Sequence, residues 1–236
     1  MTRAMILAAG RGARMRPLTA MAPKPLIEVA GKALIDHVFD RLEAADAGPF
    51  VVNVHYLPDL LEVHVKRRAS EKVTVSDERA QILDTGGGVK RALPLLGEAP
   101  FIVTNADTFW IEGPSQNLAQ MQKVFDPERM DGLLLLAPTV RAVGYEGRGD
   151  FSLTPDGRVR RRETGMVAPF VYAGCAIFSP AAFAQTPDGP FSLNLVFDAL
   201  VASGRLYGIR LDGLFLHVGT PDAIREAERA IRASAA

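Results

Sequence analysis

Apolar positions along this chain fall into two alternating kinds of run. Ala4 to Ala9, Phe50 to Val54, Phe101 to Thr104 and Leu133 to Ala137 are short and almost continuously apolar, the pattern of strands covered on both faces. Between them the spacing is helical: Leu34, Val38 and Leu42 after Gly31-Lys32, then Leu60, Leu61, Val63 and Val65, then Val89 through Leu96. Strand alternating with helix predicts an α/β protein with a mainly parallel sheet flanked by helices.

After about residue 140 the pattern changes. Asp150 to Thr154, Arg158 to Glu163 and Phe170 to Phe178 read as strands separated by Pro155-Asp156-Gly157 and Gly165, which predicts a small antiparallel lobe on the substrate side. A helix is expected from Ser192 to about Ala202, stopped by Ser203-Gly204, and another from Thr220 with Pro221 in its first turn. No internal repeat or long linker divides the chain. Residues 1–236 are therefore expected to form a single domain, with 1–140 as its core and 141–236 as the antiparallel lobe and C-terminal helices.

Composition narrows the classes. With 236 residues, 48% of them hydrophobic, the chain has ample material for a core without a disulfide or metal staple. Cys175 is the single cysteine, so an intrachain disulfide or a CxxC site is excluded, and it is read as a small core hydrophobe. No apolar run approaches the ~20 residues that span a bilayer. The apolar part of Met1 to Gly10 is too short for a secretory core, so it reads as a buried first strand of a cytoplasmic protein. The 27 Lys and Arg balance 27 Asp and Glu, leaving no global field to attract a polyanion. Arg158, Arg160, Arg161 and Arg162 form a short basic run of the kind found on solvated faces, and nucleic acid is not expected as a partner.

The chemistry concentrates after the first strand, in Leu7-Ala8-Ala9-Gly10-Arg11-Gly12-Ala13-Arg14-Met15-Arg16-Pro17-Leu18-Thr19. Small residues in such a turn let backbone N–H groups approach a phosphate, although a glycine turn alone is also a common conformational device. It is not a dinucleotide fingerprint, because counting G-x-G-x-x from Gly10 lands on Met15 instead of a third small residue. Nor is Gly86-Gly87-Gly88-Val89-Lys90 a Walker A loop, since the upstream glycine is missing and Arg91 follows the lysine. What distinguishes the first loop is its three cations, Arg11, Arg14 and Arg16, followed by Pro23-Lys24-Pro25-Leu26. Clustered cations suit a polyphosphate, and prolines flanking Lys24 stiffen the backbone that holds its ammonium.

These residues resemble the sugar-1-phosphate nucleotidyltransferases, or nucleoside-diphosphate-sugar pyrophosphorylases. The family signature L-A-A-G-x-G-x-R-M-x-P-L-T, then P-K-P-L, then V-x-G-K-x-L-I, is matched from Leu7 to Ile35. Further matches are Asp84-Thr85-Gly86-Gly87-Gly88 at the base-binding loop, Asn105-Ala106-Asp107, and Val218-Gly219-Thr220-Pro221. The resemblance implies a Rossmann-like fold of the nucleotide-diphospho-sugar transferase type. It also implies attack by a sugar-1-phosphate oxygen on the α-phosphorus of an NTP, with pyrophosphate released. Short length, the Asp84 to Gly88 stretch and Gly147 to Phe151 are most similar to the branch that uridylylates N-acetylmuramate 1-phosphate, making UTP the expected nucleotide. Mannose-1-phosphate guanylyltransferases share most of these motifs and are the alternative, and a catalytically degenerate nucleotide-binding module is the alternative of another class.

By residue-wise match, Arg14 would bind the β- and γ-phosphates and Lys24 the α-phosphoryl group, with Asp107 the third catalytic residue, holding Mg²⁺. Ala8, Ala9, Gly10, Gly12 and Ala13 would line the nucleotide, and Glu78, Thr85 and Gly86 would face the base. Asn105, Gly149, Asp150, Glu163 and Gly174 would contact the sugar. Two departures stand out. His217 occupies a position where the family carries a second acidic metal ligand. A neutral imidazole suits Mn²⁺, Co²⁺ or Zn²⁺ better than Mg²⁺, so a shifted metal preference, a single-carboxylate Mg²⁺ site completed by water and phosphate, a degenerate site and a merely structural histidine all stay open. The lysine of the family's E-K-P is also missing, Glu163 being followed by Thr164; the arginines at 160–162 are expected to supply the charge, at least one of them facing the cleft. The expected state is a monomer or homodimer.

Overall fold

The computed structural model describes residues 1–234. β1 (Thr2–Leu7) leads through three short 3₁₀ turns into a small hairpin, β2 (Glu28–Val29) and β3 (Lys32–Ala33). Then come α1 (Leu34–Ala44), β4 (Ala47–Val54), α2 (Pro58–Ala69), β5 (Val73–Asp77), α3 (Asp84–Leu96) and β6 (Phe101–Asn105). The second half runs β7 (Thr108–Glu112), α4 (Asn117–Val124), β8 (Gly132–Pro138), β9 (Phe151–Leu153), β10 (Val159–Arg161) and β11 (Phe170–Phe178). It closes with α5 (Leu193–Ala202), β12 (Leu206–Arg210), β13 (Gly213–His217) and α6 (Pro221–Ser234).

Nine of these strands make one mixed sheet. β6, β1, β4 and β5 are parallel neighbours in that order. β11 lies antiparallel on β6, β8 antiparallel on β11, and β12 parallel to β8. β9 and β10 branch from the start of β11, so the antiparallel strands continue the main sheet. β11 can serve several neighbours because its register breaks between Tyr172 and Ala176. Gly174 sits in that break at φ 72°, a left-handed conformation that glycine adopts without a Cβ penalty.

Side-chain alternation along the strands assigns the two faces. Ala4 and Ile6 pack with Ile35, Val38, Phe39, Leu42, Leu61, Val65 and Met121 of α1, α2 and α4. Met5, Val51 and Val103 pack with Val89, Ala92, Val196, Phe197 and Leu200 of α3 and α5. A third cluster, including Met15, Leu34, Phe109, Leu216, Val218 and Ala227, seats a two-stranded annex of β7 and β13 beside α1 and α6. Cys175 is buried in β11, and burial pushes its thiol up to about 12, as expected of a core residue.

Two local expectations are corrected. β1 ends at Leu7, not Ala9, because the chain leaves the ladder where Ala8 N donates to Asn53 Oδ1 at 2.6 Å. The Asp84 to Gly88 stretch, read as a loop, is the first turn of α3. Glycines within a helix cost about 1 kcal/mol each against alanine, but the packing here excludes a side chain. A Cβ on Gly86 would lie 2.4 Å from Phe191 Cε2, and one on Gly87 2.3 Å from Gly189 O.

Candidate active site

Parallel strands leave their carboxyl ends on one edge, where the crossover turns converge and open α/β sheets place ligands. A cavity of about 330 Å³ opens there, beyond β1, β4 and β6. Ala8, Ala9, Gly10, Gly12, Ala13 and Arg14 supply one wall, Glu78, Thr85 and Asp84 another, and Asn105, Ala106, Asp107 and Lys24 the third. The glycine turn has a physical reason at Gly12. Its φ is 60°, and a Cβ would sit 2.9 Å from both Lys24 Cβ and Thr19 Cγ2. Buried Thr19 donates its hydroxyl to Gly12 O at 2.9 Å and locks the turn. Of the turn's three arginines, Arg14 lines the cavity, whereas Arg11 and Arg16 lie outside its lining.

Lys24 begins a 3₁₀ turn directly after Pro23. Its Nζ donates to Asp107 Oδ2 at 2.6 Å, with the two side chains 10% and 29% exposed. A short charge-assisted bond between half-desolvated partners fixes the ammonium in the cavity wall. Asp107 stands in the turn joining β6 to β7, and β13 pairs with β7 so that His217 faces Thr108 across the ladder. His217 is thereby brought beside Asp107. Burial lowers its pKa, and Lys24 and Arg14 push the same way against an opposing Asp107, leaving a neutral imidazole at pH 7. Gly219 lines the cavity, and a Cβ there would lie 2.9 Å from His217 Nε2.

The donor set limits what ion could sit here. Among the described residues no three His, Cys, Asp or Glu side chains converge as a metal cage. One carboxylate with one neighbouring imidazole fits a hard divalent ion that takes its remaining ligands from water and substrate phosphates. It does not fit a closed structural site.

The cavity wall around Glu78 rests on a residue outside the expected set. Asn53 is the one polar side chain in the Phe50–Val54 run. It is buried, accepting from Ala8 N and donating from Nδ2 to Glu78 Oε1 at 2.7 Å. Glu78 Oε2 accepts from Leu83 N at 3.1 Å. This carboxylate is thus a buried brace that also lines the cavity. A polar residue interrupting a doubly covered strand was the available signal. Gly86 lies behind the wall, donating its N–H to Phe191 O at 2.8 Å.

The sugar-side candidates are dispersed. Asn105 lines the cavity, whereas Gly149, Asp150, Glu163 and Gly174 fall outside its lining. Gly149, at φ 74°, donates to Tyr145 Oη at 3.1 Å. Asp150 Oδ2 accepts from Tyr172 N at 3.0 Å. Glu163 is exposed in the turn after β10. Among the arginines, Arg161 turns to α5, pairing with Asp198 at 2.6 Å and lying over Phe151 and Phe197. Arg162 points the other way, donating to Gly149 O at 2.9 Å and Met166 O at 3.2 Å. Tyr145 links this region to the phosphate end, its ring edge-on to His217 at 6.2 Å.

A glycine turn, a wedged lysine and an acidic residue at the carboxyl edge of such a sheet define a nucleotidyltransferase. The chain belongs to the MobA-like NTP transferase domain family, which it matches over residues 4–131. It is 50% identical over 229 residues to the N-acetylmuramate alpha-1-phosphate uridylyltransferase of Caulobacter vibrioides, covering 95% of both chains. Identity to the protein of the same name from Neisseria meningitidis is 36% over 232 residues, with 96% of each covered. A mannose-1-phosphate guanyltransferase from Hypocrea jecorina is 30% identical, across 92% of this chain and 60% of its own. Among solved structures, a UDP-glucose pyrophosphorylase complexed with UDP-glucose superposes with a TM-score of 0.80 at 18% identity, 99% of each chain being covered. HddC from Yersinia pseudotuberculosis, complexed with GMP-PN, gives 0.78 at 21% identity, covering 98% of this chain and 100% of its own. These likenesses agree on a Rossmann-like transferase fold.

Proposed function

We propose that the protein transfers a uridylyl group from UTP to N-acetylmuramate 1-phosphate, forming UDP-N-acetylmuramate and releasing pyrophosphate. The observation that carries this is the 50% identity along 95% of both chains to an enzyme of that name. A sugar-phosphate oxygen attacks the α-phosphorus as the bond to the β-phosphate oxygen breaks, and no covalent enzyme intermediate is needed. Because both reactants are anions, the protein's task is alignment and screening of charge. Arg14, without an ion pair among the described residues, takes the leaving pyrophosphate. Lys24, held by Asp107, meets charge developing on the transferring group. Asn53 and Glu78 keep the nucleotide wall rigid. A divalent ion, Mg²⁺ in this proposal and Mn²⁺ as the alternative, would be held by Asp107 with His217 beside it and would neutralise phosphate charge.

Further parts of the proposal concern setting: residues 1–236 work as one transferase unit, as a monomer or homodimer, in the cytoplasm and in recycling of cell-wall sugars. Among the described residues no helix is long and apolar enough to cross a membrane. The test is pyrophosphate release with Mg²⁺ from UTP, GTP and dTTP, each paired with the 1-phosphates of N-acetylmuramate, mannose, glucose and N-acetylglucosamine. Turnover confined to UTP with the muramate is expected. A GTP and mannose signal would replace this reading with guanylyl transfer, and silence everywhere, repeated with Mn²⁺, would favour a nucleotide-binding module.

A further inference from the structure

Asp107 and His217 do not stand on the main sheet. They sit at one end of the annex formed by β7 and β13, which is hydrogen-bonded to itself as a separate two-stranded sheet. The near side of the Asp107 turn is tied to the main sheet, Ala106 N donating to Leu7 O at 3.1 Å, but its far side runs into the annex, to which α1 makes specific contacts. His37 lies flat on Phe109, centroids 4.6 Å apart and planes within 1°, with Nε2 2.9 Å from Val29 O. One turn on, Arg41 donates from Nη1 to His37 O at 2.8 Å and from Nη2 to Trp110 O. Its guanidinium carbon is 5.3 Å from the ring centroids of both Phe109 and Trp110, within cation–π range.

Arg41 Nε and Trp110 Nε1 are buried without a partner among the described residues. Both residues, with Thr104 of β6, line a cavity of about 10 Å³, roughly the capacity of one water. The contacts therefore join α1 to β7, the strand that leaves the Asp107 turn. Burial lowers the guanidinium pKa to about 10, so it is still a cation at neutral pH.

We propose that Arg41 is a positioning residue: by bracing Trp110 and Phe109 against α1, it sets the place of the β6–β7 turn and hence of Asp107 against Lys24. Only the kinetic arm of this inference rests on the transfer reaction proposed above. Arg41→Met should lower kcat for pyrophosphate release at least tenfold while the Kd for UTP in EDTA stays within twofold. It should also speed amide hydrogen exchange across residues 106–111 at least tenfold and shift the emission of Trp110, the only tryptophan in the chain. Arg41→Lys keeps the charge but has no planar fork to bond two carbonyls; it should move each readout the same way by less, and it serves if Arg41→Met does not fold. Arg68→Met is the control, because Arg68 pairs with Asp40 and Glu43 of α1 and lies 5.7 Å over Phe39, without contacting β7. It should leave kcat and exchange within twofold of the wild type. Unchanged exchange across 106–111 in the Arg41 variants, or equal losses in Arg68→Met, would overturn the inference. If the wild type releases no pyrophosphate from any substrate pair, the proposed reaction fails, and exchange and emission still decide the role of Arg41.

Discussion

The two ends of the cleft are built on different principles. At the proposed nucleotide end, Ala8, Asn53 and Glu78 are all buried and bonded to one another across β1, β4 and the approach to α3. On the sugar side, Glu163 and Arg162 are exposed and Gly149 is held through loop contacts. The first end is an extension of the core and has its shape before any ligand arrives. The second is assembled from turns after β8 that are tied together at the surface by Arg162 and Asp150.

The contrast can be broken at several points. Lys24→Ala removes the charge donor without disturbing a core network, so kcat should fall about a hundredfold or more with the melting temperature almost unchanged. Full turnover in a well-folded variant would remove Lys24 from its assigned role. Asn53→Leu should act the other way, through stability. Ala8 N and Glu78 would lose their buried partner, at about 2–3 kcal/mol, a shift of several degrees for a chain of this size, read by calorimetry. A variant as stable as the wild type would mean that the nucleotide wall does not depend on this brace.

Arg162→Met should confine its effect to the sugar side. A rise of about three- to tenfold in KM for the sugar 1-phosphate, equivalent to ~1 kcal/mol, is expected with KM for the NTP unchanged. Equal effects on both substrates would show that the two ends are not independent. The smallest effect is a proton effect. Burial lowers the pKa of both His217 and His37 below 6.5, so the unfolded chain takes up these protons first. Stability is then fully present above pH 6.5 and declines as pH falls, by at most about 1.4 kcal/mol per pH unit for each histidine. Melting curves from pH 8 to 5 should show the decline, and His217→Asn should flatten it.

Much of the core was legible because its signals are local. Continuous apolar runs marked β4, β6 and β8, and Ser192 and Pro221 marked the starts of α5 and α6. The Leu7 to Ile35 stretch pointed to Arg14 and Lys24, which the fold brings to one cavity. What escaped depends on distant partners. The annex strands β7 and β13 are separated by about a hundred residues, so their short apolar runs, Phe109 to Ile111 and Leu214 to Leu216, do not show in the sequence that they pair. The glycines at 86–88 looked like a loop because their reason, the closeness of Phe191 and Gly189, lies across the fold. Asn53 passed unmarked inside an apolar run because its partners, Ala8 and Glu78, lie on other elements.

One feature of the sheet bears on how the chain is made. β1 is synthesised before both of its partners, yet it ends between β4 and β6, and β6 is covered on its other side by β11. Residues 2–7 therefore wait on the ribosome for partners at 47–54 and 101–105, and the sheet is completed only when β12, at 206–210, has emerged. At about 5–20 residues per second the apolar first strand stays unpaired for several seconds. Nascent chains stalled before residue 101 should accordingly be the ones that bind chaperones and are cut by protease, and chains released past residue 210 the first to resist both.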